Sequence, residues 1–233
     1  MCSIFGSADQ SMFEVLYEAN KARGNFASSL LTLMKAPAGN VDDVSILKQE
    51  GYINFEKQKL KPKNHAYYMG HVQAPTSSVR KYNYDTSHPF EQEDWLVFHN
   101  GVLTNHESLN EQYCNWNENP VDTSVIVCMI QEKWNELKGN KSRSSSTDEV
   151  KIIETICERL NGTFALCIVN TTSLNVYLVR QGSTLYINDN GSYSSIKGKG
   201  WVELPEGKVV KLTKEYKFKE VGKFKPNSPF LII

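Results

Sequence analysis

What most restricts the fold is the order in which the hydrophobic period changes along the chain. Ser3-Ile4-Phe5 reads as a buried strand, and Met12, Val15, Leu16 and Ala19 then fall on one helical face behind a capping-box pattern, Ser11-Met12-Phe13-Glu14. The helix should stop at Arg23-Gly24. Residues 26–37 turn apolar again, a strand is predicted at Ala66 to Met69, and Trp95-Leu96-Val97-Phe98 is an apolar strand run stopped at His99-Asn100-Gly101. Helical spacing follows twice. It runs from Pro120, with Asp122 opening a face of Val125, Ile126, Met129 and Ile130, and again behind Ser146 and Glu149, with Ile153, Ile156, Cys157 and Leu160. After Asn161-Gly162 come short strands at 163–169, 176–179, 185–187, 201–204 and 209–212, separated by Gly- and Pro-containing turns. Strands, then paired helices, then strands, without βαβ alternation, predict antiparallel sheets packed with helices, an α+β architecture. The lysine-rich segment 45–64 has no clear period, 77–93 reads as an irregular surface segment, and 138–148 reads as a flexible surface loop.

Composition removes several functional classes. At 233 residues and 40% hydrophobic, the chain suits one sizeable globular unit. Lys+Arg and Asp+Glu both number 26, so no net field favours nucleic acid or an anionic membrane, and neither is expected as a partner. Five cysteines, Cys2, Cys114, Cys128, Cys157 and Cys167, show no Cys-x-x-Cys spacing, which argues against a zinc site and a disulfide framework; no metal or other cofactor is expected. Neither a secretory leader nor an apolar run long enough to span a bilayer is present, so a cytoplasmic location is expected.

The residues with the strongest chemical potential stand at the start. Removal of Met1, which the small Cys2 side chain permits, leaves a thiol and a free α-amine on one residue. A thiol of pKa ~8.5 beside an amine of ~7.7–8.0 can give up its proton at neutral pH without a histidine. Three further features carry candidate chemistry: Gly70-His71 before the Gln73-Ala74-Pro75-Thr76 loop, His99-Asn100-Gly101, and Asp122-Thr123. Asn-Gly after a strand is either a tight turn or a source of two N–H groups facing a cleft, as an oxyanion hole requires. Asp122 is either a helix cap or a site carboxylate.

In this order and spacing the four features resemble the class II glutamine amidotransferases, which are N-terminal nucleophile hydrolases. The resemblance spans nearly the whole chain through Arg23-Gly24, Ser87-His88-Pro89, Asn105, Leu160 to Ala165, Arg180 to Leu185, and Glu203 to Gly207. It implies a four-layer αββα sandwich of antiparallel sheets and hydrolysis of the glutamine side-chain amide by Cys2. Asn100 and Gly101 would hold the oxyanion and Asp122 the substrate ammonium. Gln73, Thr76 and Arg80 would contact substrate from the loop, while Arg23, His71 and His99 take structural or secondary places.

The chain departs from the family at Gln73, where an arginine generally holds the substrate α-carboxylate; Arg80, or less directly Arg23, would have to supply that charge. Residues 1–213 are expected to form the glutaminase domain and 214–233 an extension, either an edge strand or a docking tail. Ammonia would then pass to a separate synthetase or transferase subunit. Two alternatives remain open: hydrolysis of another γ-glutamyl amide, and a catalytically inactive binding or regulatory module.

Overall fold

The computed structural model describes residues 2–34, 43–55, 66–74, 81–114, 121–140 and 145–227. In chain order their elements are β1 (Ser3–Ser7), α1 (Gln10–Asn20), β2 (Ala27–Met34), β3 (Asp43–Glu50), β4 (Ala66–Gln73), β5 (Phe90–Gln92), β6 (Trp95–Leu103), α2 (His106–Tyr113), α3 (Asp122–Asn140), α4 (Ser146–Cys157), β7 (Gly162–Asn170), β8 (Asn175–Gln181), β9 (Tyr186–Ile187), β10 (Tyr193–Ser194), β11 (Val202–Glu203), β12 (Lys208–Leu212) and β13 (Phe218–Lys223). They form two sheets, ordered β11-β9-β10-β1-β4-β2-β3 and β13-β12-β8-β7-β6-β5.

Period-two alternation explains why both sheets are covered on both faces. In β6, Trp95 and Val97 face the helices α3 and α4, while Leu96 and Phe98 face the other sheet. In β7, Phe164, Leu166 and Ile168 take the helix side and Ala165, Cys167 and Val169 the inter-sheet side. In the first sheet, Leu31, Leu33, Tyr67 and Met69 enter the inter-sheet layer, and Leu30, Tyr68 and Val72 pack under α1 with Phe13 and Tyr17. The result is a four-layer αββα sandwich. Strands apolar on alternate faces to this extent read as continuous runs, as at 95–98, because neither face meets water. Each fully buried Phe or Leu contributes about 1.5–3 kcal/mol of burial free energy.

Several local expectations shift. Asp9, not Ser11, caps α1, accepting the Met12 N–H at 3.0 Å. Ser145 caps α4 in a reciprocal box with Asp148, one residue earlier than expected; Glu149 is buried instead and accepts from the Tyr177 hydroxyl at 2.6 Å. β6 does not stop at His99 but pairs with β7 as far as Leu103 opposite Gly162. Ser87 to Phe90 are buried rather than on the surface, with a cis peptide between His88 and Pro89. Cys114 and Cys128 are joined as a disulfide between the end of α2 and α3, which corrects the expectation of no disulfides at this one pair. The described part of the C-terminal extension supplies β13, an edge strand paired with β12.

Lys48 spans the sheet edges formed by β3 and β5. Its side chain is 2% exposed, with Nζ 3.3 Å from the Tyr84 carbonyl, 4.2 Å above the Tyr84 ring and 3.9 Å from a Glu91 carboxylate oxygen. Burial pushes its pKa down from 10.5 to about 8, against the pull of Glu91 and Asp85. Between these values the unfolded chain binds more protons than the folded one, so stability rises with pH across that window. Lys48→Met is expected to stabilise the fold at pH 7 by about 1–3 kcal/mol and to abolish that rise, as read by urea unfolding at pH 7, 8, 9 and 10.

Candidate active site

Cys2 sits immediately before β1 and is half-buried. In β1, Ile4 points into the inter-sheet layer, while Phe5 packs under α1 and the Ser3 hydroxyl bonds to Asn20 of α1. Strand alternation therefore places Cys2 on the Ile4 face, toward the opposing sheet. Arg23, in the short turn that follows α1, donates from Nε to the Cys2 carbonyl at 3.0 Å and so fixes the strand end. Burial pulls the Arg23 pKa down, opposed by Cys2 and Tyr186. β1 pairs with β4 as Ser3 to Val72 and Ile4 to His71, and one further step of that register sets Gln73 across from Cys2. Gln73 is 2% exposed, and its carbonyl accepts the Phe26 N–H.

The opposing sheet contributes Asn100. It lies on the same β6 face as Leu96 and Phe98, is 4% exposed, and donates from Nδ2 to the Ser195 hydroxyl at 3.3 Å. Ser195 also accepts the Ile4 N–H at 3.0 Å, so a single side chain links Asn100 to the strand that begins at Cys2. Gly101 follows on the helix-facing side. A Cβ built there would lie 2.0 Å from the Thr163 carbonyl oxygen of β7, so the close approach of the two strands requires glycine.

Behind these strands lies a buried polar layer. His71 donates from Nε2 to the His99 carbonyl at 3.1 Å and stacks on His88 with ring centroids 3.9 Å apart. Burial pushes His71 down to about pKa 3, only partly offset by that carbonyl, so the ring is neutral. His88 Nε2 and His99 Nδ1 both meet the Thr123 hydroxyl, at 3.0 and 3.1 Å. Asp122 opens α3 on the helix side of this sheet. One oxygen accepts the Leu103 N–H at 2.9 Å and the other lies 3.6 Å from His99 Nδ1. Burial would raise the Asp122 pKa, but the facing His99, the Leu103 N–H and His106 bring it to about 2.

Other expected positions fall elsewhere. Arg180 pairs with Glu203 at 2.9 Å and Glu206 at 3.6 Å and bonds the Leu204 carbonyl, which ties β8 to the 203–207 turn. Asn105 accepts the Asn161 N–H and donates to the Arg159 carbonyl, both at 2.9 Å. Thr76 and Arg80 lie outside the described residues. Among the described residues no cluster of three or more His, Cys, Asp or Glu could hold a metal, and no helix is long and apolar enough to cross a membrane.

The chain is 26% identical over 196 residues to the glutamine–fructose-6-phosphate aminotransferase (isomerizing) of Francisella tularensis, a match covering 80% of this chain and 30% of that protein. The Listeria innocua enzyme of the same name is 26% identical over 190 residues, covering 76% and 30%. The chain thus spans about a third of the length of these relatives. No protein-family model matches it. Among solved structures, the glutamine phosphoribosylpyrophosphate amidotransferase of B. subtilis superposes with a TM-score of 0.66 at 18% identity, over 97% of this chain and 50% of that one. A predicted glutamine amidotransferase from Pseudomonas aeruginosa gives 0.51 at 10% identity, over 96% and 100%. The chain shares the fold of these glutamine amidotransferases and is similar in sequence to part of the aminotransferases.

Three residues of the candidate site escape the sequence. Ser195 and Asn20 are fully buried polar residues that tie β1 to its neighbours, and Thr123 gathers two histidines. Ser195 lies in a Gly- and Ser-containing stretch of turn-like composition, which hides the two-residue strand β10 beside it. Thr123 was visible only as the neighbour of Asp122.

Proposed function

We propose that the chain hydrolyses the side-chain amide of glutamine, with Cys2 as nucleophile once Met1 is removed. The observation that supports this best is the facing of two sheets: the strand that starts at Cys2 is bonded through Ser195 to the Asn100 amide. The Cys2 α-amine takes the thiol proton, and the thiolate attacks the amide carbon. Asn100 Nδ2–H and the Gly101 N–H hold the oxyanion. The protonated α-amine then gives its proton to the departing nitrogen, releasing ammonia and leaving a γ-glutamyl thioester. Water adds to the thioester, the amine takes its proton, and glutamate leaves. Asp122, ionised through the acid range, would pair with the substrate ammonium while remaining anchored to Leu103. Arg23 holds the strand end, and His71 and His99 brace the backbone behind it. Thr76 and Arg80 would contact the substrate.

Residues 1–213 would form the glutaminase unit, with 214–233 as an extension that includes β13. The ammonia would go to an acceptor on a separate partner, in the cytoplasm. A second reading, hydrolysis of another γ-glutamyl amide, is favoured by Gln73, a neutral side chain where a cationic fork would grip a free α-carboxylate. Intact-mass spectra before and after incubation with a diazo-ketone analogue of glutamine, beside an ammonia-release assay, test both. A Met-less chain with one adduct and glutamine turnover supports the first reading. A Met-less chain that is unlabelled and releases ammonia only from other γ-glutamyl amides supports the second, and retained Met1 with neither activity overturns both.

A further inference from the structure

We infer that Ser195 is a positioning residue that sets which way the Asn100 amide faces; this rests on the glutaminase reading above. Ser195 is 1% exposed and lies just past β10. Its N–H donates to the Ile4 carbonyl at 2.9 Å. Its hydroxyl accepts the Ile4 N–H at 3.0 Å, lies 3.3 Å from the Ile4 carbonyl and 3.3 Å from Asn100 Nδ2, and its own carbonyl takes the Thr184 hydroxyl at 2.9 Å.

The donor and acceptor inventory of a hydroxyl decides the rest. Ser195 has one O–H proton and two acceptor positions. The proton goes to the Ile4 carbonyl, and one acceptor position is filled by the Ile4 N–H. With its proton on the Ile4 carbonyl the hydroxyl accepts from Asn100, and Asn100 presents its NH₂ rather than its oxygen. One N–H of that group is held by Ser195, and the other is left to point at an oxyanion. A reversed amide would draw the hydroxyl proton away from the Ile4 carbonyl, losing that bond, and would turn a carbonyl toward the developing negative charge. The same hydroxyl is bonded to Ile4, two residues from Cys2, so donor and nucleophile are referred to one atom. Sequence positions 2, 100 and 195 thereby share one rigid reference.

The test is a double-mutant cycle on glutamine turnover in the full chain, with kcat and KM measured separately. Removing one oxyanion donor typically costs ~10²–10³ in kcat, so Asn100→Ala is expected in that range and Ser195→Ala, which frees the amide to rotate, at about tenfold or more. KM should move by less than about threefold in Ser195→Ala, because substrate is bound elsewhere. In the Asn100→Ala background, Ser195→Ala should cost almost nothing further in kcat. Ser195→Cys, close in shape but a poor acceptor, should show the same kcat loss and guards against a folding failure of the alanine variant. Parental kcat in either soluble Ser195 variant, or losses that multiply fully with Asn100→Ala, would overturn the inference. A wild-type chain with neither turnover nor a Cys2 adduct would instead overturn the glutaminase reading itself.

Discussion

Cys2→Ala is expected to lower glutamine hydrolysis by at least on the order of 10⁴-fold, since removing the nucleophile of a covalent mechanism leaves only binding and oxyanion contacts. The α-amine base and the Arg23 bond to the residue 2 carbonyl both survive the change, so no other part of the proposed site is disturbed. Cys2 is half-buried and outside the three apolar clusters, so the unfolding midpoint should move by no more than about 2 °C. Loss of turnover at unchanged stability is the signature. Cys2→Ser separates the thiol from the amine: a hydroxyl is far less acidic, so the amine cannot deprotonate it efficiently and nearly the whole loss should remain. Turnover above a hundredth of wild type in Cys2→Ala, measured as ammonia release on a chain verified by mass, would mean that another residue attacks the amide.

Gly101→Ala should damage both stability and chemistry. The added Cβ falls 2.0 Å from the Thr163 carbonyl and 2.8 Å from His99 Nε2, and the first of these is backbone in the middle of a sheet. Relief requires β6 and β7 to separate where they pair residue by residue. A cost of about 3 kcal/mol or more follows from the size of the overlap, lowering the unfolding midpoint by roughly 6–12 °C. The same displacement moves the Asn100 amide and the residue 101 N–H, so kcat should fall by ~10² or more in whatever fraction stays folded. Calorimetry and single-turnover hydrolysis check the two parts separately.

Much of the architecture could be read from alternation and capping signals. Residues 95–98 and 163–169 announced strands, and 122–130 and 153–160 announced helices, because burial on one or both faces leaves a period in the apolar residues. What alternation could not supply was the length of β6. His99-Asn100-Gly101 has the composition of a turn, and only β7, more than sixty residues later, keeps it extended. Likewise Ser11 and Ser146 offered good caps, but Asp9 accepts the Met12 N–H and Ser145 closes a reciprocal box with Asp148, so each helix starts earlier than those patterns implied. Of the candidate site, Cys2, Asn100, Gly101 and Asp122 were singled out in the sequence, the last three as site residues only through the family resemblance. Ser195 was not. A buried serine bonding three groups has the same letter as a serine in a loop, and its partners at positions 4 and 100 are far away along the chain.

The split of the site between two facing sheets also bears on how the protein is made. Cys2 leaves the ribosome well before Asn100, and Asn100 well before Ser195. Closing contacts across such separations is slow and comes late in folding. Until the two sheets dock, the Cys2 thiol therefore lacks the Asn100 and Gly101 groups proposed as its oxyanion donors, and the proposed hydrolysis has to await that docking. On the proposed reading, docking of the two sheets is the step that completes the site.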